Sequence, residues 1–287
     1  MTPELITDTH LHIVNRAKID YPWLGDAPAL NRDWTQDDYA TEARKVGIGR
    51  ALFMEVDVAG DRIGDEIDHI NDLADQPGSM IEGIIAACRP ESDGFAAERE
   101  RAVGHDRILG FRRVLHVVPD DVSQGETFRK NVRSLGQTDL TFDICMAAHQ
   151  LPLTMELVDS APETRFILDH CGVPDIAGDA WDDWARNITE LAKRPNIVAA
   201  KISGICAYAA PDWTAATLGR WAGHVAESFG FDRLVWGGDW PVCTLGGGLS
   251  TWVGASRAIF AGCSADERAA LHDGNAARIW GLAPLSS

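Results

Sequence analysis

The chain has 287 residues, an apolar fraction of 45% and a formal charge of −17 at pH 7. Because nucleic acids and anionic membrane surfaces bind clustered Lys and Arg, this excess of carboxylates predicts neither nucleic acid nor membrane as a partner. No stretch is apolar over the length of a bilayer span, and no leader pattern precedes the first apolar run, so we expect neither a membrane anchor nor a secretion signal.

The six cysteines have no C-x-x-C spacing and are too sparse for a disulfide scaffold. We therefore expect a reduced, cytoplasmic protein with thiols that are mostly buried and inert. The sequence leaves the oligomeric state open, a homo-oligomer included.

Short runs rich in Val, Ile, Leu and Phe recur eight times, as expected of parallel strands covered on both faces. The predicted strands are Leu5–His12, Arg50–Val56, Ile81–Cys88, Ile108–His116, Thr141–Met146, Arg165–His170, Ile197–Ser203 and Leu234–Asp239. Amphipathic stretches lie between them, such as the helix predicted over Trp181–Lys193. Eight β/α units without a linker predict an α/β fold, a single (β/α)8 TIM-type barrel domain over residues 1–287.

The first predicted strand carries the strongest chemical signal, Asp8-Thr9-His10-Leu11-His12. Side chains alternate along a strand, so His10 and His12 project to the same side and can chelate one divalent metal ion. In a barrel of this type the active site lies at the C-terminal ends of the strands. Titratable residues lie at that end of most of the other strands: Glu55, Arg112, Arg113, His116, His149, Asp169, His170, Lys201 and Asp239.

Several of these segments together resemble the amidohydrolase superfamily. The strand-one motif, Leu168-Asp169-His170-Cys171-Gly172 and Trp236-Gly237-Gly238-Asp239-Trp240-Pro241 carry the resemblance. More narrowly, the chain resembles the amidohydrolase-2 branch, which includes fuconolactonase, rhamnonolactonase and pyrone-dicarboxylate lactonase types of lactone hydrolase. Matching residues extend over essentially the whole sequence.

The resemblance implies roles for individual residues. His10 and His12 match the metal-binding pair, and Asp239 matches the carboxylate that takes a proton from the attacking water and touches the metal. His170 matches the histidine that holds the substrate carbonyl or the water. Arg112 and His149 fall where members of the family place substrate-binding groups.

Four further residues are assigned from their positions. Glu55 is either an additional metal ligand or the partner of Arg113 or Lys201 in an ion pair inside the barrel. We expect Lys201, Trp240 and Trp23 to contact the substrate, the two indoles by packing on its ring.

The predicted cofactor is one divalent ion, with zinc favoured by the imidazole ligands. Strand five has no lysine for a carbamate bridge, so a binuclear centre is not expected. Because pyrone-dicarboxylate lactonases work without metal, metal-independent catalysis remains open. The predicted activity is hydrolysis of a small carboxylic lactone, a sugar aldonolactone in the first place. The alternatives are a zinc-dependent decarboxylase of the same superfamily and a non-catalytic barrel that binds a sugar acid.

Overall fold

Eight strands form one parallel sheet in which the strands are hydrogen-bonded in chain order. The structure is a computed structural model and describes residues 4–285. The strands are β1 (Ile6–Leu11), β2 (Ile48–Met54), β3 (Ile81–Ala87), β4 (Ile108–Val114), β5 (Thr141–Cys145), β6 (Arg165–Leu168), β7 (Ile197–Ile202) and β8 (Leu234–Trp236).

Helices follow the strands and cover the outside of the sheet. They are α1 (Gln36–Lys45), α2 (Ile63–Ala74), α3 (Phe95–Val103), α4 (Asp121–Gln124), α5 (Glu126–Ser134), α6 (Leu151–Ser160), α7 (Trp181–Leu191), α8 (Ala215–Phe229), α9 (Leu249–Ile259), α10 (Ala265–Ala269) and α11 (Asn275–Trp280). Since each strand is followed by at least one helix, the predicted (β/α)8 barrel is confirmed.

The barrel closes where β1 meets the segment that follows β8. The backbone N–H of His12 donates to the carbonyl of Trp240 at 2.8 Å, and the N–H of Asp239 donates to the carbonyl of His10 at 2.9 Å. The first and last strands of the chain are therefore neighbours, and residues some 230 positions apart in sequence share one rim.

Two apolar layers fill the molecule. The large one lies between the sheet and the helices, where Trp184, Ile188 and Leu191 form the buried stripe of α7 that the sequence predicted. A smaller cluster combines alternate residues of the strands with Ile279 and Trp280 of α11. Because side chains alternate along a strand, these strand residues face the barrel interior. Together with Ile279 and Trp280 they fill the interior at the end opposite to the site described below.

All eight strands end one to three residues earlier than predicted, and two of these ends shape the site. The sixth predicted strand stops at Leu168 and the eighth at Trp236, because the backbone then turns into the left-handed region, with φ of 50° at His170 and 52° at Asp239. Non-glycine residues rarely adopt this conformation, and where they do, the surrounding structure must hold them there. Both residues are thus presented on turns just beyond the strands.

All six cysteines are free thiols, and five of them are buried, as expected. Among residues 4–285, no helix combines the length and the apolar character needed to cross a lipid bilayer.

Candidate active site

Three histidines and one aspartate meet at the C-terminal rim of the barrel. Asp239 Oδ1 lies 3.4 Å from His12 Nε2 and 3.8 Å from His10 Nε2, and Asp239 Oδ2 lies 3.9 Å from His170 Nδ1. The rings of His10 and His170 have centroids 4.3 Å apart. The structure therefore brings together the groups that the sequence assigned to metal binding and proton transfer.

Asp8 fixes this arrangement from below. One of its oxygens accepts hydrogen bonds from the backbone N–H of His10 at 2.9 Å and of Gly238 at 2.7 Å, and the other accepts from the Tyr39 hydroxyl at 2.8 Å. Burial raises the pKa of Asp8 to about 6, although these hydrogen bonds oppose the shift. Asp8 thus links β1 to the turn that presents Asp239.

Three glycines leave room for the cluster. A Cβ on Gly204, whose φ is +71°, would lie 2.6 Å from His170 Nδ1 and 2.7 Å from Asp239 Oδ2. A Cβ on Gly237 would lie 2.9 Å from the Cβ of His10, and one on Gly238 would lie 2.4 Å from Asp8 Oδ2. Real Cβ atoms do not approach neighbours so closely, so only glycine permits this packing.

The hydrogen bonds of His12 leave a position for a cation. His12 Nδ1 lies 2.9 Å from the carbonyl of Met54 and must donate to it, so Nε2, which faces Asp239 Oδ1, holds a lone pair in the neutral ring and a proton in the charged one. Asp239 Oδ2 is buried without a hydrogen-bond partner. Two facing acceptors repel each other unless a proton or a metal ion lies between them.

The cluster has the donor set of a divalent metal site. His10, His170 and Asp239 each place one potential ligand atom within 4.8 Å of the others. Imidazole nitrogens and a carboxylate suit zinc, and a carbonyl that orients the far nitrogen of a histidine ligand is common at such sites. These residues, together with His12, therefore fit a divalent ion.

Arg112 reaches the same cluster from β4. Its Nη1 donates to His10 Nε2 at 3.1 Å, its Nε donates to Glu55 Oε1 at 2.6 Å, and its Nη2 donates to the carbonyl of Glu55 at 2.9 Å. Burial by itself lowers the pKa of Arg112, but the negative groups around it, Glu55 foremost and Asp169 with it, together outweigh burial and raise that pKa, so the guanidinium stays charged. A metal ion bound through His10 Nε2 would displace this contact.

A layer of buried charges lies directly beneath the cluster. Lys201 Nζ donates to Asp143 Oδ2 at 2.5 Å and lies 3.1 Å from Asp169 Oδ1, which is 3.6 Å from His10 Nδ1. Burial by itself raises the pKa of Asp169, but Lys201 and His10 outweigh it and hold that pKa well below its usual range. The negative charge of Asp169 thus supports the ring orientation of His10.

Burial keeps His10 and His170 neutral. It lowers the pKa of His10 well below its usual value, and His170 and Lys201 lower it further. It also lowers the pKa of His170, a shift that Asp239 opposes. Both rings are therefore neutral at neutral pH and able to bind a metal or to donate a hydrogen bond.

The cluster forms the floor of a cavity of about 490 Å³, within the range of small-molecule sites. His12, Arg112, His170 and Asp239 reach the cavity. Apolar side chains from the segment after β1 and from the loops after the other strands form its walls, and Trp23 is one of them.

Four assigned residues lie elsewhere than expected. Lys201 is fully buried in its ion pairs, and Trp240 is fully buried against Trp34 and Tyr39, so neither lines the cavity. His149 is exposed on the short helix Ala148–Gln150, outside the cavity lining.

Glu55 is the fourth. One of its oxygens binds Arg112, and the other accepts the N–H of Asp57 at 2.6 Å, so neither oxygen is free for a metal ion. The ion pair considered in the sequence analysis exists, but its partner is Arg112 rather than Arg113 or Lys201.

No role was predicted from the sequence for Tyr208 of the cavity wall, and His116 was identified only as a titratable residue near a strand end. Tyr208 lies on the short helix Ile205–Tyr208, with its ring 6.1 Å from that of His170. The signal that could have indicated this loop is Gly204, which directly follows β7 and has a φ of +71° that lets the chain turn over the site.

The chain is similar over almost its whole length to two proteins named as lactonases. It is 28% identical to an L-fucono-1,5-lactonase of Burkholderia multivorans, over 96% of this chain and 95% of that protein. It is 26% identical to an L-fucono-1,5-lactonase of Burkholderia ambifaria, over 95% and 94% of the two chains. The crystal structure of an amidohydrolase from Burkholderia multivorans with bound zinc superposes with a TM-score of 0.85 at 26% identity, covering 97% of this chain and all of that one.

The amidohydrolase family model Amidohydro_2 matches residues 7–282, nearly the entire chain. The motifs that carry the resemblance are the ones that the fold gathers around Asp239, on β1, after β6 and after β8. The chain belongs to the amidohydrolase family.

Proposed function

We propose that the protein hydrolyses a small carboxylic lactone, with Asp239 as the general base. The observation that carries this proposal is the Asp239 carboxylate, which has one unpartnered oxygen and lies beside His12 and His170 on the floor of a cavity. The names of the two Burkholderia lactonases support a lactone as the substrate, and a sugar aldonolactone is the first candidate. The same names favour a role in carbohydrate catabolism, and the free thiols favour a cytoplasmic location.

Asp239 moves one proton twice in this reaction. It accepts a proton from the water that attacks the lactone carbonyl carbon, which gives a tetrahedral intermediate and a protonated Asp239. The intermediate collapses with cleavage of the bond to the ring oxygen. Asp239 then returns the proton to that oxygen, and the product is the open hydroxy acid.

His170 and Arg112 are suited to hold the carbonyl oxygen as negative charge develops on it. Both line the cavity, His170 as a neutral imidazole beside the Ser203 hydroxyl at 3.0 Å, and Arg112 as a cation kept charged by Glu55. Hydrogen-bond donors already in place at such an oxygen are typically among the largest contributions to catalysis. Trp23, on the wall, is proposed to pack against the substrate ring.

The proposed cofactor is one divalent ion, with zinc favoured by the donor set. His10, His12 and Asp239 would hold it, with His170 adjacent. When bound, the ion would polarise the carbonyl and lower the pKa of a bound water toward about 7. Lys201 and Asp169 would act indirectly, by orienting His10, and His149 remains a predicted substrate contact.

A screen with a pH indicator against aldonolactones, simple lactones and muconolactones tests the activity, because each lactone opened releases acid. Release of CO2 from an aromatic or muconate carboxylate would favour the decarboxylase instead. Absence of turnover with every compound would leave the non-catalytic barrel.

Asp239→Asn tests the base directly. We expect the variant to fold normally and to lose at least about 10²-fold in kcat, the low end for a general acid or base. Asp212→Asn, which changes an exposed aspartate, is the matched control and should keep the wild-type rate. Wild-type turnover by Asp239→Asn would require a different base.

His12→Ala tests the metal. We expect the purified protein to contain about one divalent ion per chain by elemental analysis and His12→Ala to lose it, because that change removes one imidazole ligand. His149→Ala, which changes an exposed histidine, should retain the ion. Full activity of metal-free wild-type protein would contradict a metal requirement and leave the role of Asp239 standing.

A further inference from the structure

The walls of the cavity are mostly apolar, whereas its floor carries charged and polar groups. This difference indicates which lactones the cavity can bind. We propose that the lactone is uncharged and carries an apolar substituent that packs against these walls, in preference to a dicarboxylate or a fully hydroxylated sugar lactone. This inference rests on the proposed lactone hydrolysis, and it replaces the sugar aldonolactone suggested by the relatives' names with a less polar lactone as the expected best substrate.

Aliphatic side chains from several loops form most of the wall above the catalytic cluster. The segment between β1 and α1 contributes the largest share, and the loops after β2, β4 and β8 contribute the rest. The aliphatic residues of these segments that line the cavity include Val14, Leu24, Leu30, Val56, Val117 and Val242. A substituent that covers such a surface is removed from water together with it, which favours binding by about 25 cal/mol per Å² of apolar area.

The two indoles of the wall have no free polar group to offer a hydroxylated ligand. The Nε1–H of Trp23 donates to the carbonyl of Val56 at 2.9 Å, and the Nε1–H of Trp34 donates to the carbonyl of Leu30 at 2.9 Å. Both rings therefore contribute carbon surface. A sugar hydroxyl buried against them would lose its water without gaining a partner, which is unfavourable.

The remaining polar groups of the wall are few. Asp57 is already paired, 3.5 Å from Arg89 and 3.6 Å from Arg113. Asp26 and His116 are exposed to water, and Tyr208 carries one hydroxyl beside His170. The hydroxyls of a polyhydroxylated lactone would thus find hydrogen-bond partners mainly at Tyr208 and at the floor, where Asp239, His170 and Arg112 serve the reaction itself.

The charges around the cavity disfavour an anionic substrate. Three carboxylates, those of Asp26, Asp57 and Asp239, line the cavity together with a single guanidinium, that of Arg112. Glu55 already pairs with that guanidinium. Among the described residues that line the cavity, no unpaired Lys or Arg is left for a substrate carboxylate. A divalent ion at the floor would offset the carboxylates rather than create an excess of positive charge.

A matched set of lactones tests the inference. The set comprises δ-valerolactone, δ-octalactone with its propyl substituent, glucono-1,5-lactone, L-fucono-1,5-lactone and 2-pyrone-4,6-dicarboxylate. Each kcat/KM is divided by the uncatalysed hydrolysis rate constant of the same compound, which corrects for intrinsic reactivity. We expect δ-octalactone to exceed δ-valerolactone by roughly 60-fold, at about fourfold for each of the three added carbons. It should also exceed both sugar lactones and the dicarboxylate.

Variants of the wall link the preference to these residues. In the double variant Val117→Thr/Val242→Thr, the kcat/KM ratio of δ-octalactone to δ-valerolactone should fall roughly tenfold, because two methyl groups become hydroxyls. Val117 is 63% exposed and Val242 is half-buried, so the change should leave the fold intact. Val103→Thr, at a residue of α3 that is 59% exposed and outside the cavity, is the control and should leave the ratio unchanged.

The outcomes separate this inference from the proposed function. If a sugar lactone or the dicarboxylate is the best substrate, or if the double variant keeps the wild-type ratio, the inference is overturned while lactone hydrolysis stands. If no lactone is opened, hydrolysis fails and the pocket is tested by calorimetric binding of inert δ-lactams. Tighter binding of a 6-propyl lactam than of a hydroxylated lactam then supports an apolar site, and equal or weaker binding overturns it.

Discussion

Gly204→Ala is the most direct test of the site geometry, because it adds one methyl group between two groups assigned to the reaction. The new Cβ would lie 2.6 Å from His170 Nδ1 and 2.7 Å from Asp239 Oδ2, whereas ordinary contacts begin at 3.4 Å. His170 Nδ1 must therefore move away from the added Cβ by about 0.8 Å, and Asp239 Oδ2 must move away from it by about 0.7 Å.

The expected effect on activity is large compared with the effect on stability. A displacement of about 1 Å in a reacting geometry can cost about 10²-fold in rate. We expect kcat to fall by roughly 10- to 100-fold. The left-handed backbone at Gly204, with φ of 71°, should cost an alanine about 1–2 kcal/mol in the free energy of unfolding, and the crowding adds about 1–3 kcal/mol.

The assay combines kcat on the best lactone from the screen with urea unfolding. Gly281→Ala is the matched control, because Gly281 is also left-handed, with φ of 67°, and a Cβ there would meet nothing within 4 Å. That control should lose stability and keep full activity. If the kcat of Gly204→Ala equals that of Gly281→Ala, the close approach of His170 and Asp239 is not needed for the reaction.

Two further predictions concern buried charges. Burial raises the pKa of Glu66 well above its usual value, so the folded protein binds a proton there more tightly than the unfolded chain does. The free energy of unfolding should therefore fall as pH rises above the unfolded pKa of this carboxyl, by up to about 1.4 kcal/mol per pH unit. Glu66→Gln should make the free energy of unfolding, measured with urea, less dependent on pH between pH 5 and 8 than in wild type. The control Glu227→Gln, at an exposed residue, should keep the wild-type pH dependence. An unchanged pH dependence in Glu66→Gln would contradict the raised pKa of Glu66. Lys201→Met should lower the free energy of unfolding by about 3–5 kcal/mol, because it leaves the buried Asp143 carboxylate without a cation and leaves Arg112 as the remaining cation beside Asp169. Adding Asp143→Asn should restore part of that loss, and strictly additive losses would refute the ion pair.

The sequence was sufficient for the architecture and for the center of the site. Eight apolar runs with intervening amphipathic stretches identified the barrel. Alternation placed His10 and His12 on one side of β1, and their ring centroids are in fact 4.9 Å apart. Asp239 could be assigned to the same rim because the C-terminal ends of all strands of a closed parallel barrel lie together.

The sequence alone did not show which charged side chains are buried beneath the site and which reach the cavity. Lys201 and Arg112 both follow the strand alternation, yet Lys201 lies in the buried layer beneath the site and Arg112 reaches the cavity. The difference depends on which carboxylates face each cation across the barrel, Asp143 and Asp169 for the lysine and Glu55 for the arginine. Those pairings join residues of different strands, so no local pattern encodes them.

The cavity walls also depended on the tertiary structure. Trp240 follows Asp239 directly, but neighbouring residues on a turn point in different directions, and its indole packs into the core against Trp34 and Tyr39. Trp34 and Tyr208, from loops far apart in the sequence, line the cavity. Local sequence thus determined which elements form and which chemical groups end them, whereas the packing of loops over the barrel decided which of those groups a substrate can reach.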